Sequence, residues 1–216
     1  MNHSNPIQYI VWDWNGTLLN DAWVFVHLMN KELEQRKLPI INIKKYRENF
    51  VFPVKEYYKH LGFNFNKEPF EKIGLDFMKK YKEFKYKASL FDESLLVLKK
   101  IQTLGFPQSI ISASHNVLLN DMINHYGIKH YFEKIIGLNH FFATSKIELA
   151  KNLCETIKYN NQNILFIGDT IHDFEIATTL GAQCVLFSKG HCSRQRLQNT
   201  NGKIINNLNQ IINLIN

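Results

Sequence analysis

The sequence predicts an α/β fold: a Rossmann-like, doubly wound parallel sheet with a helical subdomain inserted after its first strand. Two observations lead to this prediction. Short apolar runs that end in a polar or glycine turn alternate with helical patterns along most of the chain, as in a parallel sheet covered by helices. One long stretch near the start breaks this alternation and contains helical patterns only.

Five apolar runs are expected to be strands buried on both faces, because each is short and continuous. They cover residues 7–12, 109–111, 135–138, 164–167 and 184–187. Helical patterns at 92–104 and 116–126 stop at Gly105 and Gly127. The first of these helices is expected to turn Leu95, Leu96, Leu98 and Ile101 towards the sheet. The tail at 206–216 predicts a last amphipathic helix.

The stretch 21–90 is predicted to be a helical cap, with helices at 21–36, around 53–61 and at 68–84. The core is then formed by residues 1–20 and 91–216. At 216 residues and 45% hydrophobic composition, the chain is long enough for one substantial core with a small inserted subdomain.

Composition excludes some functions and weakens others. No signal peptide core or membrane span is visible, and three cysteines without a close pair indicate reduced thiols and a cytoplasmic protein. The net charge of +7 comes mostly from lysine. The densest lysine patch, at 79–87, is interpreted as a solvated helix end, because nucleic-acid modules usually bring arginines as well. We therefore expect neither a nucleic acid nor a membrane as partner.

Acidic residues follow two of the predicted strands. Asp13 comes directly after the first strand, and Asp169 follows the strand at 164–167, with Asp173 four residues on. Parallel sheets bind ligands outside the carboxyl ends of their strands, and gathered carboxylates need a hard cation such as Mg²⁺ among them. Asp13 could instead hydrogen-bond a turn, and Asp173 could cap the following helix.

Ser112 and Lys146 are candidate phosphate ligands. Ser112 ends another buried strand, where a hydroxyl beside backbone N–H groups can hold a phosphate oxygen, although a turn role is equally compatible. Ser145 and Glu148 form the pattern of a capping box, which places Lys146 in the first turn of a helix. A cation there opposes the helix dipole, so Lys146→Ala is expected to leave stability unchanged or slightly improved.

In this order, Asp13, Ser112, Lys146 and Asp169 resemble the four motifs of the haloacid dehalogenase superfamily, and the overall pattern resembles its phosphoglycolate phosphatase branch. The resemblance implies Mg²⁺ as cofactor and a small phosphorylated metabolite as substrate. It implies that Asp13 is the nucleophile and forms an aspartyl-phosphate. The implied metal ligands are Asp13, the carbonyl of Asn15 and Asp169, supported by Asp173. The implied substrate-binding residues are Gly16, Thr17, Ser112, Ala113 and Lys146.

The chain departs from the family pattern at Asn15, where phosphatases of this superfamily usually have an aspartate that serves as acid and base. An amide cannot exchange a proton near neutral pH. Asp21, His115 and His172 are possible substitutes, because each lies close in sequence to one of the motif residues. His172 is nevertheless expected to be a solvent-facing turn residue. Turnover of esters with poor leaving groups is therefore expected to be slow.

Three alternatives to a phosphatase remain open. A dehalogenase would use the same nucleophile without Mg²⁺, and Asp169 and Asp173 argue against it. A phosphonate-cleaving relative tolerates Asn15 but needs a cap lysine, for which Lys31 and Lys37 are candidates. A slow phosphate-binding or regulatory protein is the third alternative. The sequence does not select a substrate, nor does it decide between a monomer and a homodimer.

Overall fold

The computed structural model describes residues 6–215 of the chain. The predicted α/β fold is confirmed: six strands form one parallel sheet in the order β5-β4-β1-β6-β7-β8. The strands are β1 (Tyr9–Trp12), β4 (Gln108–His115), β5 (Lys134–Leu138), β6 (Ile164–Gly168), β7 (Gln183–Phe187) and β8 (Lys203–Ile205). β1 lies at the centre of the sheet, between β4 and β6.

Helices cover both faces of the sheet, and the buried side chains of β1 alternate between these two faces. Ile10 and Trp12 belong to the apolar cluster under α5 (Ser94–Thr103) and α6 (Asn116–His125). Tyr9 and Val11 belong to the cluster under α7 (Ile147–Thr156) and α8 (Ile171–Leu180). The shorter α9 (Arg194–Leu197) and α10 (Ile212–Ile215) follow β7 and β8.

Four helices lie between β2 (Leu19–Asn20) and β3 (Ser89–Leu90), two short strands that pair antiparallel. The helices are α1 (Ala22–Gln35), α2 (Ile43–Asn49), α3 (Val54–His60) and α4 (Phe70–Phe84). We call these helices and the loops that join them the cap. Their buried side chains join the same apolar cluster as α5 and α6, so the cap and the sheet domain share one continuous core.

The structure corrects several sequence expectations. β2, α2 and β8 were not predicted, and β3 falls inside the stretch expected to be wholly helical. In α5, Leu95 and Leu96 are exposed, whereas Val97 joins Leu98 and Ile101 in the core. The tail forms a 3-10 turn over Leu208–Ile211 before α10 instead of one helix from residue 206. Residues 1–5 and 216 of the predicted core lie outside the described residues.

The lysines at the end of α4 make contacts within the chain. Lys80 pairs with the buried Glu32, and Lys85 pairs with Asp121. Lys82 lies over the ring of Phe141, 4.8 Å from its centroid. Over the described residues, no helix combines the length and the apolar character needed to cross a bilayer.

Candidate active site

Three neighbouring strands bring the candidate residues to the carboxyl edge of the sheet. Asp13 follows β1 and its N–H donates to the carbonyl of Ile167 at 2.8 Å. Asp169 follows β6, and Ser112 lies within β4. Because β4, β1 and β6 are adjacent in register, these side chains come together although they are distant in sequence.

Three carboxylates form the centre of the site. Asp13, Asp169 and Asp173 each offer an oxygen, and these oxygens lie within 4.8 Å of one another. Burial raises the pKa of Asp13 to about 6, although Lys146 opposes the shift. Burial also raises the pKa of Asp169 well above its usual range, and the charges of Asp13 and Asp173 add to this effect. Ionising all three buried carboxylates at this distance is therefore unfavourable without a further cation.

Lys146 lies inside this cluster instead of on an exposed helix turn. Its side chain is 8% exposed, and Nζ forms ion pairs with Asp13 and, at 2.8 Å, with Asp173. Its Nζ also donates to the carbonyl of Ile111 at 3.3 Å. Lys146 is thus held between the nucleophile candidate and a second acid.

The capping box predicted before α7 is wrong. The helix begins at Ile147 with Lys146 as its N-cap residue. Ser145 Oγ accepts from the N–H of Ile147 at 3.2 Å, but Glu148 pairs with Lys151 at 2.7 Å instead of reaching back. The attraction of two buried carboxylates for Lys146 outweighs the unfavourable helix-dipole effect on which the stability expectation for Lys146→Ala relied.

Asp173 caps α8 and holds Lys146 at the same time. Its Oδ2 accepts from the N–H groups of Asp169 at 3.2 Å and Thr170 at 3.0 Å, and from Thr170 Oγ1 at 2.7 Å. Thr170 and Asp173 form a capping box. Lys146 and these hydrogen bonds lower the pKa of Asp173, although burial opposes the shift. Asp173 therefore stays ionised as the partner of Lys146.

The donor set suits Mg²⁺, which prefers carboxylate oxygens. Asp13 and Asp169 are the residues that would hold it, with Asp173 close by, because each of the three offers an oxygen within 4.8 Å of the others. Thr17 Oγ1 lies 3.3 Å from an oxygen of Asp13 and 3.3 Å from an oxygen of Asp169, so its single proton can be donated to either. A cation here would offset the repulsion between the two buried carboxylates.

Gly16 and Thr17, predicted to bind substrate, lie in the loop after Asp13 and are not among the residues that line the cavity. Thr17 is fully buried against the aspartates. Gly16 has φ +76°, and a Cβ there would lie 2.3 Å from both Asp169 Oδ2 and His191 Cδ2. The sequence therefore needs glycine at position 16 to let Asp169 and His191 approach the loop.

The cavity itself is bounded by the sheet edge and the cap. The core contributes most of the residues singled out in the sequence, and the cap contributes apolar side chains. The lining comprises Asp13, Asn15, Ser112, Ala113, Ser114, Ala143, Lys146, Asp169, Thr170, Asp173 and His191, with Phe25, Phe50, Phe52 and Val54 from the cap.

Asn15 is hydrogen-bonded on both sides of its amide. Its Nδ2 donates to Asp21 Oδ2 at 2.6 Å and to the Tyr81 hydroxyl at 3.3 Å. Its Oδ1 accepts from Ser114 Oγ at 2.7 Å and from Ser112 Oγ at 3.4 Å. These hydrogen bonds fix the amide in place, and an amide does not transfer a proton to a leaving group near neutral pH.

The possible substitutes for an acid at position 15 lie in three different settings. Asp21 contacts Asn15 but is fully buried and does not line the cavity. His115 stacks on Phe141, with ring centroids 4.1 Å apart. His172 stacks on Phe52 and its side chain is only 17% exposed, so the expectation of a solvent-facing residue is wrong. Burial lowers the pKa of His172.

His191 lines the cavity and was not identified from the sequence. Its backbone N–H donates to Asp169. Its ring Nε2 lies 3.1 Å from Asp21 Oδ1, and its ring Nδ1 lies 2.7 Å from the Tyr46 hydroxyl. Burial lowers its pKa, but the hydrogen bond and charge of Asp21 outweigh this and raise it. The signal that could have found it is the Lys189-Gly190-His191 turn after the buried strand β7.

The comparisons with known proteins agree with this geometry. A model of the haloacid dehalogenase-like hydrolase family matches residues 10–187. The chain belongs to this family. That match includes Asp13, Ser112, Lys146 and Asp169, the residues on which the resemblance was recognised.

Solved structures share the fold of this haloacid dehalogenase-like hydrolase at low sequence identity. A hydrolase of the same family from Streptococcus pneumoniae has a TM-score of 0.84 at 21% identity, covering 97% of this chain and 99% of that one. A predicted phosphatase from Clostridium acetobutylicum has 0.82 at 17%, covering 98% and 99%. A predicted phosphoglycolate phosphatase from Haemophilus somnus has 0.79 at 17%, covering 97% and 98%. No curated protein matches the sequence.

Proposed function

We propose that this hydrolase is a magnesium-dependent phosphatase that cleaves a small phosphorylated metabolite through an aspartyl-phosphate on Asp13. The observation that carries the proposal is the position of the Asp13 carboxylate. It lines a cavity at the carboxyl edge of the sheet, paired with Lys146 and within 4.8 Å of two further acids. Such a site attracts an anionic group towards a carboxylate nucleophile once the acids are neutralised.

The reaction is a double displacement. Oxygen of Asp13 attacks phosphorus, and the bond from phosphorus to the ester oxygen breaks as the aspartyl-phosphate forms. Water then attacks the same phosphorus, releasing phosphate and restoring the carboxylate. Mg²⁺ held by Asp13 and Asp169 would supply charge that offsets the negative charge of the transferring group. Lys146 pairs with Asp13 and Ser112 lines the same cavity, so both would position the phosphoryl oxygens.

Asn15 supports a second candidate, a phosphate-binding or regulatory protein with little turnover, because it supplies no proton to the leaving oxygen. A phosphonate-cleaving enzyme has less support, because it would require a cap lysine in the cavity. Lys31 lies over the ring of Phe84, 4.6 Å from its centroid, and neither Lys31 nor Lys37 lines the cavity. The buried acids, which need a cation, disfavour a metal-free dehalogenase.

The decisive experiment measures phosphate release from an aryl phosphate. Wild type should turn over with Mg²⁺, stop with EDTA and recover when Mg²⁺ is restored. Asp13→Asn should be inactive, whereas Asp76→Asn, which changes an exposed acid on α4, should match wild type. Binding of phosphate without its release from any ester would favour the regulatory candidate. Chloride release from a haloacid without metal would favour the dehalogenase.

A further inference from the structure

A second, apolar pocket lies between the cap and residues 141–143, beside the candidate active site. Its enclosed volume is about 60 Å³. Its lining is almost wholly aromatic or aliphatic: Phe25, Met29, Tyr46, Phe50, Val54, Tyr57, Tyr58, Phe70, Gly74, Phe77, Met78, Phe141, Phe142 and Ala143. No acidic or basic side chain is among these described residues.

The apolar pocket adjoins the cavity that contains Asp13. Phe25, Phe50, Val54 and Ala143 line both spaces. Tyr46 contributes to both spaces. Its ring lines the apolar pocket, and its hydroxyl is hydrogen-bonded at 2.7 Å to His191, which lines the cavity that contains Asp13. The apolar pocket is therefore the space next to a group attached to a phosphate at Asp13.

One polar atom stands out in this lining. The hydroxyl of Tyr57 is buried and has no hydrogen-bond partner within the described chain, and the residue is 1% exposed. A buried hydroxyl without a partner is costly. A ligand with one polar atom on an otherwise apolar body would satisfy it.

We propose that the substrate is a phosphate monoester whose leaving group is uncharged and mainly apolar. This proposal rests on the proposed phosphatase function. Ligand pockets of this apolar kind, with a few polar groups, select ligands by burial of apolar surface. The leaving group of phosphoglycolate carries a carboxylate, which would be buried here without a cation, so phosphoglycolate is disfavoured.

The first test compares three alkyl phosphates as substrates with Mg²⁺ present. 3-Phenylpropyl phosphate and propyl phosphate have leaving groups of the same acidity and differ in apolar size alone. We expect kcat/KM to be roughly tenfold to a hundredfold higher for the phenylpropyl ester, with phosphoglycolate below both. Equal values for the phenylpropyl and propyl esters, or a preference for phosphoglycolate, would overturn the proposal.

Gly74 allows the pocket itself to be tested. A Cβ at Gly74 would lie 3.9 Å from Phe142 Cδ1, an ordinary contact, so a larger side chain there must enter the pocket. Gly74→Leu should bring the ratio of phenylpropyl to propyl turnover close to one. Leu75→Ala changes an exposed neighbour on the same helix and should keep the wild-type ratio. Persistence of the preference in a folded Gly74→Leu variant would show that the phenyl group binds elsewhere.

A binding measurement on wild type separates failure of the pocket from failure of the phosphatase function. Calorimetry with Mg²⁺ present should show 3-phenylpropylphosphonate, which cannot be hydrolysed, binding at least tenfold more tightly than phosphonoacetate. This result in a protein that hydrolyses no ester would refute the phosphatase function and keep the pocket. Equal affinities, or tighter binding of phosphonoacetate, would refute the pocket whatever the activity.

Discussion

At the scale of single residues, the environment of Lys146 decides what the residue does. Its ammonium is buried between Asp13 and Asp173. Removal of one partner from a buried ionic cluster leaves uncompensated charge, which costs more than loss of a surface pair. The expectation that Lys146→Ala would spare stability treated the lysine as exposed, and the structure removes that premise.

We now predict that Lys146→Ala lowers the free energy of unfolding by about 3 kcal/mol in the absence of Mg²⁺, and that Mg²⁺ restores part of this loss. Phosphate release should fall by orders of magnitude. Chemical denaturation and the aryl phosphate assay measure the two effects. Lys151→Ala is the control, because Lys151 pairs with Glu148 on the surface of the same helix and should cost less than about 0.5 kcal/mol. Equal stability of the two variants would contradict the buried-cluster interpretation.

Asn15 is the residue at which the chain departs from the usual acid and base of its family. His191 lines the cavity, but both its ring nitrogens already contact partners within the protein, Asp21 and Tyr46. Among the described residues that line the cavity, His191 is therefore not a free proton donor for the leaving oxygen. The wild-type rate should depend steeply on leaving-group acidity, with aryl and acyl phosphates favoured over alkyl phosphates.

We predict that Asn15→Asp raises alkyl phosphate hydrolysis at least tenfold and changes aryl phosphate hydrolysis little. The new carboxyl would lie next to Asp21, where Asn15 Nδ2 is now 2.6 Å from Oδ2, and two adjacent carboxyls keep a shared proton to higher pH. Because this raises the folded-state pKa of the pair, the variant should lose stability relative to wild type as pH rises through neutrality.

Two measurements check the Asn15 prediction: kcat/KM for paired aryl and alkyl phosphates, and melting temperature against pH. Asn15→Asp combined with Asp21→Asn removes the carboxyl pair and should abolish the added pH dependence of stability. If wild type already hydrolyses both esters equally and Asn15→Asp gains nothing, another residue transfers the proton.

At the scale of elements, long apolar patterns could be predicted and short or polar elements could not. β6 and β7 differ from their predicted ranges by a residue or so at their ends, because runs buried on both faces stand out from their surroundings. β2 and β3 have two residues each, too few for any period. α2 buries only Tyr46. The prediction of the buried face of α5 was wrong, because this helix has more apolar residues than one face can bury.

The capping box of α8 gives a prediction at this scale, because it also holds the acid that pairs with Lys146. Thr170→Ala removes the cap hydroxyl and one hydrogen bond to Asp173. It should lower the free energy of unfolding by about 1 kcal/mol and reduce phosphate release, since Asp173 positions Lys146. Thermal unfolding and the aryl phosphate assay test both. Thr179→Ala, at an exposed threonine on the same helix, should change neither; identical effects of the two variants would exclude the proposed coupling.

At the scale of the whole molecule, hydrogen bonds that no local pattern reveals fasten the cap to the sheet domain. Arg47 of the cap donates to the carbonyls of Gly190 at 2.7 Å and Lys189 at 2.6 Å. Arg196 of the sheet domain donates to the carbonyl of Phe50 at 2.6 Å. The partners in these hydrogen bonds are separated by more than 140 residues. The sequence could therefore predict acids at the edge of the sheet, but not the aromatic side chains of the cap that line the cavity.

The most direct test of the proposed mechanism is to identify the residue that carries the phosphoryl group. Without an acid or base at position 15, the aspartyl-phosphate should form faster than it is hydrolysed, giving a burst of leaving group before slow turnover. Acid-quenched enzyme, mixed with an aryl phosphate and Mg²⁺, should carry one phosphoryl group on the peptide containing Asp13 when analysed by mass spectrometry. Phosphorylation of another residue, or turnover with no phosphoenzyme in wild type or in Asn15→Asp, would contradict the assignment of Asp13 as nucleophile.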